Sequence, residues 1–496
     1  MLRAFGVRHD TRGLASRSSP SWAALFRDGR AAHTVLLTLG VGVHAIDVFI
    51  ITTILPSVVT EIGGAAFYTW STMLYVVASI LGTACGGFVR ARYTLRRGYT
   101  GGALLFLSGS VGCAVAPSMA WLLLARAAQG LGGGMLIALS YGMVSELYPA
   151  ALRPWVFSMI SGMWGTAALL GPTVGGVFAA IGWWRGAFWA ATPVIIGLIG
   201  LAWRTLPSAA GQGATARFPG HRLLLLGVGV LCVAWSGQAV WLWLRLALIA
   251  GGGVLMGLTF RLDARAMTRL FPSQPLSLHQ PVGTAYWMFF LLDVTASQVT
   301  VFMPLVVQVL HGVSPLGAGY FAGLRSLAWT LAALCSAGLQ GRWVRLVLWL
   351  GPLVITCGIA GQAAVVVNGS LVWLGVFMAL HGVGIGICFA HLSSWTIAAA
   401  RGGEENLTAS SIATVRSLGQ AFGAATAGLI ANAAGLAQGV SAVTVASAAT
   451  WIYGLCSLLP VVLTALALRL LWLHRRTRIA SGLQDAPQPG KVVPLE

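Results

Sequence analysis

Residues 44–56 read HAIDVFIITTILP, with one carboxylate, Asp47, in a stretch that is otherwise almost wholly apolar or hydroxylated. A carboxylate in such a setting is neutral, paired with a cation, or turned toward water. His44 sits three positions earlier, on the same face of a helix. Placed this way, Asp47 can take up and release a proton near neutral pH. The alternative is a static ion pair with an arginine of a neighbouring helix. His44 then serves as a helper or a packed polar group.

The other charges inside apolar stretches are Asp293, Arg126, Arg325 and Arg416. Each costs about 2.5–3.5 kcal/mol at the centre of a membrane helix even on the lowest scale, so together they imply a paired or aqueous interior. Arg126 opens RAAQGLGGG, which puts Gln129 at i+3 and Gly130 at i+4. The polar groups share a face, and glycine lets a second helix approach closely. Arg126 could steer Asp47 between its protonated and charged states, or only lock the fold. Either Arg325, in LRSLAWT, or Arg416, in ATVRSLGQAFG, could pair with Asp293 or contact an anionic substrate. Tyr75, Trp164, Gln298 and Trp329 are mid-stretch candidates for a cavity wall, against the plainer reading of core packing or lipid contact. GPTVGG supplies Gly171, Pro172, Gly175 and Gly176, a kinkable and closely packing helix suited to a hinge or to a leak-tight interface between halves.

The elements that hold these residues follow from composition. Apolar residues make up 57% of the 496 and charged residues 8%, with mean hydropathy +0.83. Ordinary soluble domains carry about 25% charged residues, so the chain reads as an all-α polytopic membrane protein. Its net charge of +19 does not point to nucleic acid, because the arginines sit in short clusters between apolar spans. The seven cysteines are scattered through those spans without a CxxC or a His/Cys cluster, which indicates neither a disulfide framework nor a metal centre. No GxxxxGK[ST] nucleotide loop occurs.

Spans are expected at 34–59, 68–89, 99–117, 120–142, 154–180, 186–206, 221–239, 243–260, 284–309, 316–339, 345–366, 371–397, 409–434 and 445–472, fourteen in all. Reading 220–260 as one long segment gives thirteen. Charge placement favours the even number. Arg90, Arg92, Arg96, Arg97, Arg153, Arg204, Arg217, Arg222, Arg261, Arg265, Arg269, Arg342, Arg345, Arg401, Arg475, Arg476 and Arg478 then share one side with both termini, against Arg185 and Arg245 on the other. Trp70, Trp121, Trp183, Trp184, Trp241, Trp343 and Trp472 fall near span ends, as an interfacial belt requires.

The chain also repeats loosely. IDVFIITTILP in span 1 matches LDVTASQVTVFMP in span 9, and RAAQGLGGGM in span 4 matches MALHGVGIGI in span 12. The expected organisation is a cytoplasmic tail (1–32), a six-helix bundle (33–206), a linker with an inserted two-helix hairpin (207–281), a second six-helix bundle (282–474) and a tail (475–496).

These motifs, in this order, resemble the major facilitator superfamily, specifically its fourteen-helix drug:proton antiporter branch, over about 33–472. The resemblance rests on IDVFIITTILP, RAAQGLGGG, GPTVGG, GWWRGAFW before span 6, and ATVRSLGQAFGAA. It implies proton-coupling roles for Asp47 and Arg126 and an antiporter-helix role for Gly171, Pro172, Gly175 and Gly176. The chain departs from the family in GGFVRARYTLRRG between spans 2 and 3, which lacks the aspartate that helps latch the halves on the cytoplasmic side. Asp293 is a second buried carboxylate that could alter proton number or substrate range.

The expected function is proton-coupled efflux of small amphipathic or cationic compounds across a bacterial inner membrane, by a monomer that uses no cofactor. Its partners are the substrate, protons and the bilayer. A dedicated exporter or importer of an endogenous metabolite, siderophore-like, lipid-like or anionic, is the alternative. An enzyme is not expected, since no nucleophile has a base beside it.

Overall fold

The structure is a computed structural model that describes residues 21–64, 67–208, 218–237, 239 and 241–484. Most of the two tails, Arg217 and the side chain of Arg478 lie outside the described residues. Among the described residues, fifteen α-helices follow in order. They are α1 (Ala31–Ile62), α2 (Tyr68–Arg92), α3 (Leu95–Ala114), α4 (Met119–Leu147), α5 (Arg153–Ala180), α6 (Arg185–Thr205), α7 (Gly220–Ser236), α8 (Leu242–Ala264), α9 (Pro281–His311), α10 (Pro315–Ser336), α11 (Arg342–Val365), α12 (Leu371–Ala398), α13 (Glu405–Ala433), α14 (Ala442–Cys456) and α15 (Leu459–Gln484). Region 220–260 forms two helices that pack on each other. The last expected span is interrupted at Ser457 and Leu458, just before Pro460, where a proline cannot continue the preceding hydrogen-bond ladder.

Among the described residues, ten helical stretches are long and apolar enough to cross a membrane. The stretches outside this set belong to α3, α7, α10, α13 and the far part of α1. Two of these helices, α10 and α13, are polar because they carry Arg325, Arg416, Gln420 and a run of Ser and Thr. A helix that lines a bundle interior needs an apolar outer stripe only, so its mean hydropathy is lower.

Helices α1–α6 pack mainly among themselves, α4 lying against α1, α2 and α3, and α5 against α1. Helices α9–α15 do the same, with α9 on α13, α14 and α15, and α12 on α10 and α11. The α7–α8 pair touches α2 and α13 through α7. Short turns fix these neighbours. Ser118, Ser314 and Ser441 cap α4, α10 and α14, while Gly63 and Gly312 end α1 and α9 at positive φ, the backbone state that glycine adopts without penalty. We call the end of the bundle that carries the start of α1 the start face, and the opposite end the far face.

The span 4/span 12 repeat has a packing cause. A Cβ at Gly130 or Gly134 would collide with the backbone oxygen of Tyr75 or Ser79 on α2, and one at Gly132 would meet Phe106 and Gly102 on α3. In the second set the same collisions fall between Gly382 or Gly386 and the backbone oxygens of Arg325 or Trp329 on α10, and between Gly384 and Gly351 or Ile355 on α11. Each GxGxG run therefore wedges one helix between two others at backbone contact. Gly171 and Gly175 likewise seat α5 on α1, against Phe49 and Thr53. They pack within one set rather than between the two, and Gly176 faces open space.

Five of the seven tryptophans expected at interfaces, Trp121, Trp183, Trp241, Trp343 and Trp472, are well exposed. Trp184 is not one of them. Its ring is buried, and Nε1 donates to Glu61 Oε2 at 2.6 Å, because an indole buried beside an acid gains more from that bond than from lipid contact.

Candidate functional site

Asp47 stands near the middle of α1 and is buried. Arg126 Nη1 of α4 donates to its Oδ2 at 2.5 Å, and Gln129 Nε2 donates to Oδ1 at 2.8 Å. Arg126 also reaches Gln129 Oε1 at 2.5 Å, and Gln129 Nε2 reaches Ser110 Oγ of α3 at 2.9 Å. The i, i+3 spacing of Arg126 and Gln129 is what lets one turn of α4 hold both carboxylate oxygens. The guanidinium lies 4.0 Å from the centroid of the Tyr75 ring, a cation–π contact worth about 2 kcal/mol when desolvated. Tyr75 Oη in turn is 2.8 Å from His44 Nδ1, and the two rings stack. The order of contact is therefore Asp47, Arg126, Tyr75, His44.

This chain of contacts ends on a cavity of about 80 Å³ lined by His44, Tyr75, Ser79, Tyr141, Trp164 and, from α13, Arg416 and Gln420, among others. It lies where the two helix sets meet, and the polar groups set among its apolar walls could hold ordered water. His44 and Trp164 contact edge to face at 6.3 Å.

Across the cavity, Asp293 on α9 accepts from Arg416 Nε at 2.8 Å and Nη2 at 3.2 Å, a two-point pairing, and from Gln420 Nε2 at 2.9 Å. Arg416 is thus the partner of Asp293, and Arg325 is not. Arg416 Nη1 also donates to Tyr141 Oη of α4 at 3.0 Å, so this site spans both sets. The rings of Phe389 and Trp329 lie 4.7 and 5.4 Å from its guanidinium carbon. Arg325, on α10, is buried with Nε and Nη1 unpaired, 6.0 Å from the Trp329 ring. Gln298 stands apart from the cavity, donating to Thr426 Oγ1 at 2.7 Å.

Four contributors carried too little sequence signal to be picked out. Gln420 repeats on α13 the Arg-then-amide pattern of α4, at i+4 instead of i+3, and could have been found that way. Ser110 and Tyr141 look like any helical serine or tyrosine. Asp263 lies beyond the apolar part of α8. It is buried, paired with Arg222, and accepts from the N–H groups of Leu270 and Phe271 at 2.8–3.0 Å, which folds the linker back on α7.

Among the described residues, the side-chain hydrogen bonds that join the two sets lie between this mid-level and the start face. Ser145 Oγ donates to Asn406 Oδ1 at 2.5 Å, Asn406 donates to Glu146 at 3.5 Å, and Ser158 donates to the Ala333 carbonyl at 2.7 Å. Arg90, in the turn region lacking the family's aspartate, donates to both oxygens of Glu146 at 3.1 and 2.6 Å. The cross-set contact here runs through an α4 glutamate and an α13 asparagine. A recess of about 510 Å³ opens beside these residues on the start face.

Residues 37–424 match the Major Facilitator Superfamily profile. A "Probable multidrug-efflux transporter" of Mycobacterium tuberculosis is 30% identical over 420 residues, 81% of this chain and 88% of that protein. "Multidrug resistance protein 3" of Bacillus subtilis is 24% identical over 363 residues, 72% of this chain and 70% of its own length. Among solved structures, the human organic anion transporter MFSD10 superposes with TM-score 0.66 at 15% identity, covering 88% of this chain and 99% of that one. The proton:xylose symporter XylE does so with TM-score 0.62 at 16% identity, covering 87% and 94%. Likeness at that identity speaks to the fold alone. With the profile spanning most of its length and a relative aligned over most of both chains, this chain belongs to the Major Facilitator Superfamily, a family of membrane transporters rather than enzymes.

Proposed function

We propose that this protein exports small amphipathic compounds in exchange for protons by alternating access. In this reading the chain spans a bacterial inner membrane fourteen times, as six helices (33–206), an inserted pair within 207–281, and six more (282–474), with α14 and α15 forming one broken span. It works as a monomer, and both termini are cytoplasmic, so the start face is the cytoplasmic one. The hydrogen bonds of Ser145, Asn406 and Ser158 then close the cytoplasmic side of the cavity.

One observation carries the reading. A buried carboxylate is held by a single charged partner, with a cavity that carries both polar and apolar groups two side chains away. Protonation of Asp47 removes the attraction that fixes Arg126, and the freed guanidinium relaxes toward Tyr75 and His44, the residues that line the cavity. Substrate and proton then compete through the same linkage, which is all that antiport requires. Asp293 and Arg416 sense which arrangement the two sets adopt, because Arg416 bonds across them.

The test uses purified protein in liposomes with a pH-sensitive dye inside. A panel of cationic, neutral and anionic amphiphiles is added to wild type and to Asp47→Asn. Substrate-dependent proton movement present in wild type and absent in the variant is the expected result. Proton flow in the same direction as substrate identifies a symporter, and a response that survives in Asp47→Asn removes Asp47 from the coupling step.

A further inference from the structure

The two helix sets share a scaffold, and the shared glycine contacts give a residue-by-residue correspondence. Gly130 and Gly134 press on the carbonyls of Tyr75 and Ser79; Gly382 and Gly386 press on those of Arg325 and Trp329. Arg325 therefore occupies the second set's equivalent of Tyr75, and Trp329 that of Ser79. In the same register His381 stands where Gln129 stands, and Met378 where Arg126 stands. Gly109 packs on the backbone of Gln129 and Gly358 on that of His381, which supports the same alignment.

The charges do not correspond. In the first set one carboxylate, Asp47, meets one guanidinium, Arg126. In the second, Asp293 is taken by Arg416, and Arg325 is left over. Arg325 is 8% exposed, and its Nε and Nη1 have no acceptor. Trp329 is 7% exposed, and its indole N–H has none either. Both ring nitrogens of His381, fully buried, are also unpaired. Native proteins leave few buried donors unpaired, and a buried cation without a bonded counter-ion is more costly still. Asp293 lies within electrostatic reach of Arg325 but is bonded to Arg416, so the three groups together carry one net positive charge. Here several unpaired donors share one stretch of α10 and the α12 turn beside it, against aromatic rings that touch Arg416; Arg416 lines the central cavity, and Arg325 and Trp329 lie one side chain behind it.

We infer that Arg325 and the Trp329 indole form an anion-binding subsite for the acidic group of an amphipathic organic acid, whose apolar body lies against Trp329 and Phe389 toward the central cavity. The inference rests on the transport reading for its setting and refines the substrate class. A carboxylate, sulfonate or phosphate monoester supplies the acceptors and the compensating charge together. The rings of Trp329 and Phe389, 5.7 Å apart, supply the apolar wall.

The experiment is equilibrium binding to the purified full-length protein, in nanodiscs of zwitterionic lipid, of radiolabelled 2-naphthoate against 2-naphthamide. The acid should bind about ten- to a hundredfold more tightly than the amide, the worth of hydrogen bonds to a charged group. Arg325→Gln should bring the acid down to the level of the amide, and Arg325→Lys should restore most of the difference. Trp329→Phe, which keeps a ring and deletes the donor, should reduce the preference about two- to tenfold. It stands as the second test should Arg325→Gln fail to fold. Equal binding of acid and amide, or a preference untouched by Arg325→Gln, overturns the proposal. Adding phosphatidylglycerol to the nanodiscs should leave acid binding unchanged; competition by that lipid would assign the donors to a headgroup and overturn a substrate site. Because the readout is binding, the result stands apart from proton coupling, which the dye assay tests.

Discussion

The two buried carboxylates have the same kind of partner but different reach. Asp47 is held by an arginine and a glutamine from α4, with a serine of α3 behind them, and every contact stays within the first set. Asp293 is held by an arginine and a glutamine from α13, and that arginine also grips Tyr141 in the opposite set. A self-contained site can change protonation without needing the sets to move. A bridging site cannot change without altering how the sets are held together. Under the proposed exchange, this geometry assigns the proton to the first site and the conformational readout to the second.

The largest effect should come from breaking the self-contained pair from one side. Arg126→Met leaves Asp47 buried with only Gln129, and the loss of one member of a buried pair costs about 3–5 kcal/mol. The expected outcome is a marked fall in folded yield and in the midpoint of thermal unfolding in detergent. Asp47→Asn combined with Arg126→Met should recover much of that stability, since neither charge is then left alone. A double variant no more stable than Arg126→Met would mean the pair is not the main support of this site.

Asp293→Asn should cost less, about 1.5–3 kcal/mol, the range for hydrogen bonds to charged groups. Arg416 keeps Tyr141 and two aromatic rings when its carboxylate partner is neutralised. Matched thermal unfolding of Asp47→Asn and Asp293→Asn measures the asymmetry directly. A larger loss for Asp293→Asn would reverse the comparison.

The scaffold, by contrast, should respond alike in both sets. Gly130→Ala and Gly382→Ala each force a methyl group against a backbone carbonyl, which cannot swing aside as a side chain can. Overpacking of this kind costs about 1–3 kcal/mol. Equal destabilisation of the two variants supports the correspondence of Tyr75 with Arg325, and with it the reading of Arg325 as a surplus cation. Indifference to one substitution and not the other would undo that correspondence.

How far the sequence revealed these sites depended on how local their signals were. Asp47, Arg126 and Gln129 were legible because a charge in an apolar run is costly and because i, i+3 spacing fixes a common face. The GxGxG repeat was visible too, although only the packing explained why both copies keep their glycines. The partner of Asp293 could not be chosen, since Arg325 and Arg416 stand on different helices and look equally suited as text. What decides between them is the seating of α13 on α9, through Gly419 and Gly423 against Phe290 and Val294. Tyr141 was invisible for the same reason: its role exists only across the interface. The spans of α10 and α13 were legible despite their lower hydropathy, and the groups that lower it, Arg325 and Arg416 among them, are buried in the interior.

The smallest effect, and the sharpest test of the bridging role, belongs to Tyr141→Phe. The substitution deletes one hydroxyl, leaves the ring packed edge to face on Phe157 at 5.4 Å, and touches neither ion pair. One hydrogen bond to a charged donor contributes about 1.5–3 kcal/mol at most, and solvent able to enter the cavity would replace part of it. Overall stability should therefore change little. The balance between arrangements should change more, because the bond exists only while α4 and α13 are close. Opening at the start face should become about two- to tenfold more populated, a shift of roughly 0.4–1.4 kcal/mol. Spin labels placed at Ser145 and Asn406 would disturb the closure they report on, so labels belong on the exposed turns nearby, at Ala151 and Gly402, with double electron–electron resonance reading the distance distribution. A longer-distance population that grows in Tyr141→Phe, with wild-type unfolding, supports a site that reads conformation. An unchanged distribution would leave the Arg416–Tyr141 contact a passive one, and the second carboxylate would then need another route to the opposite set.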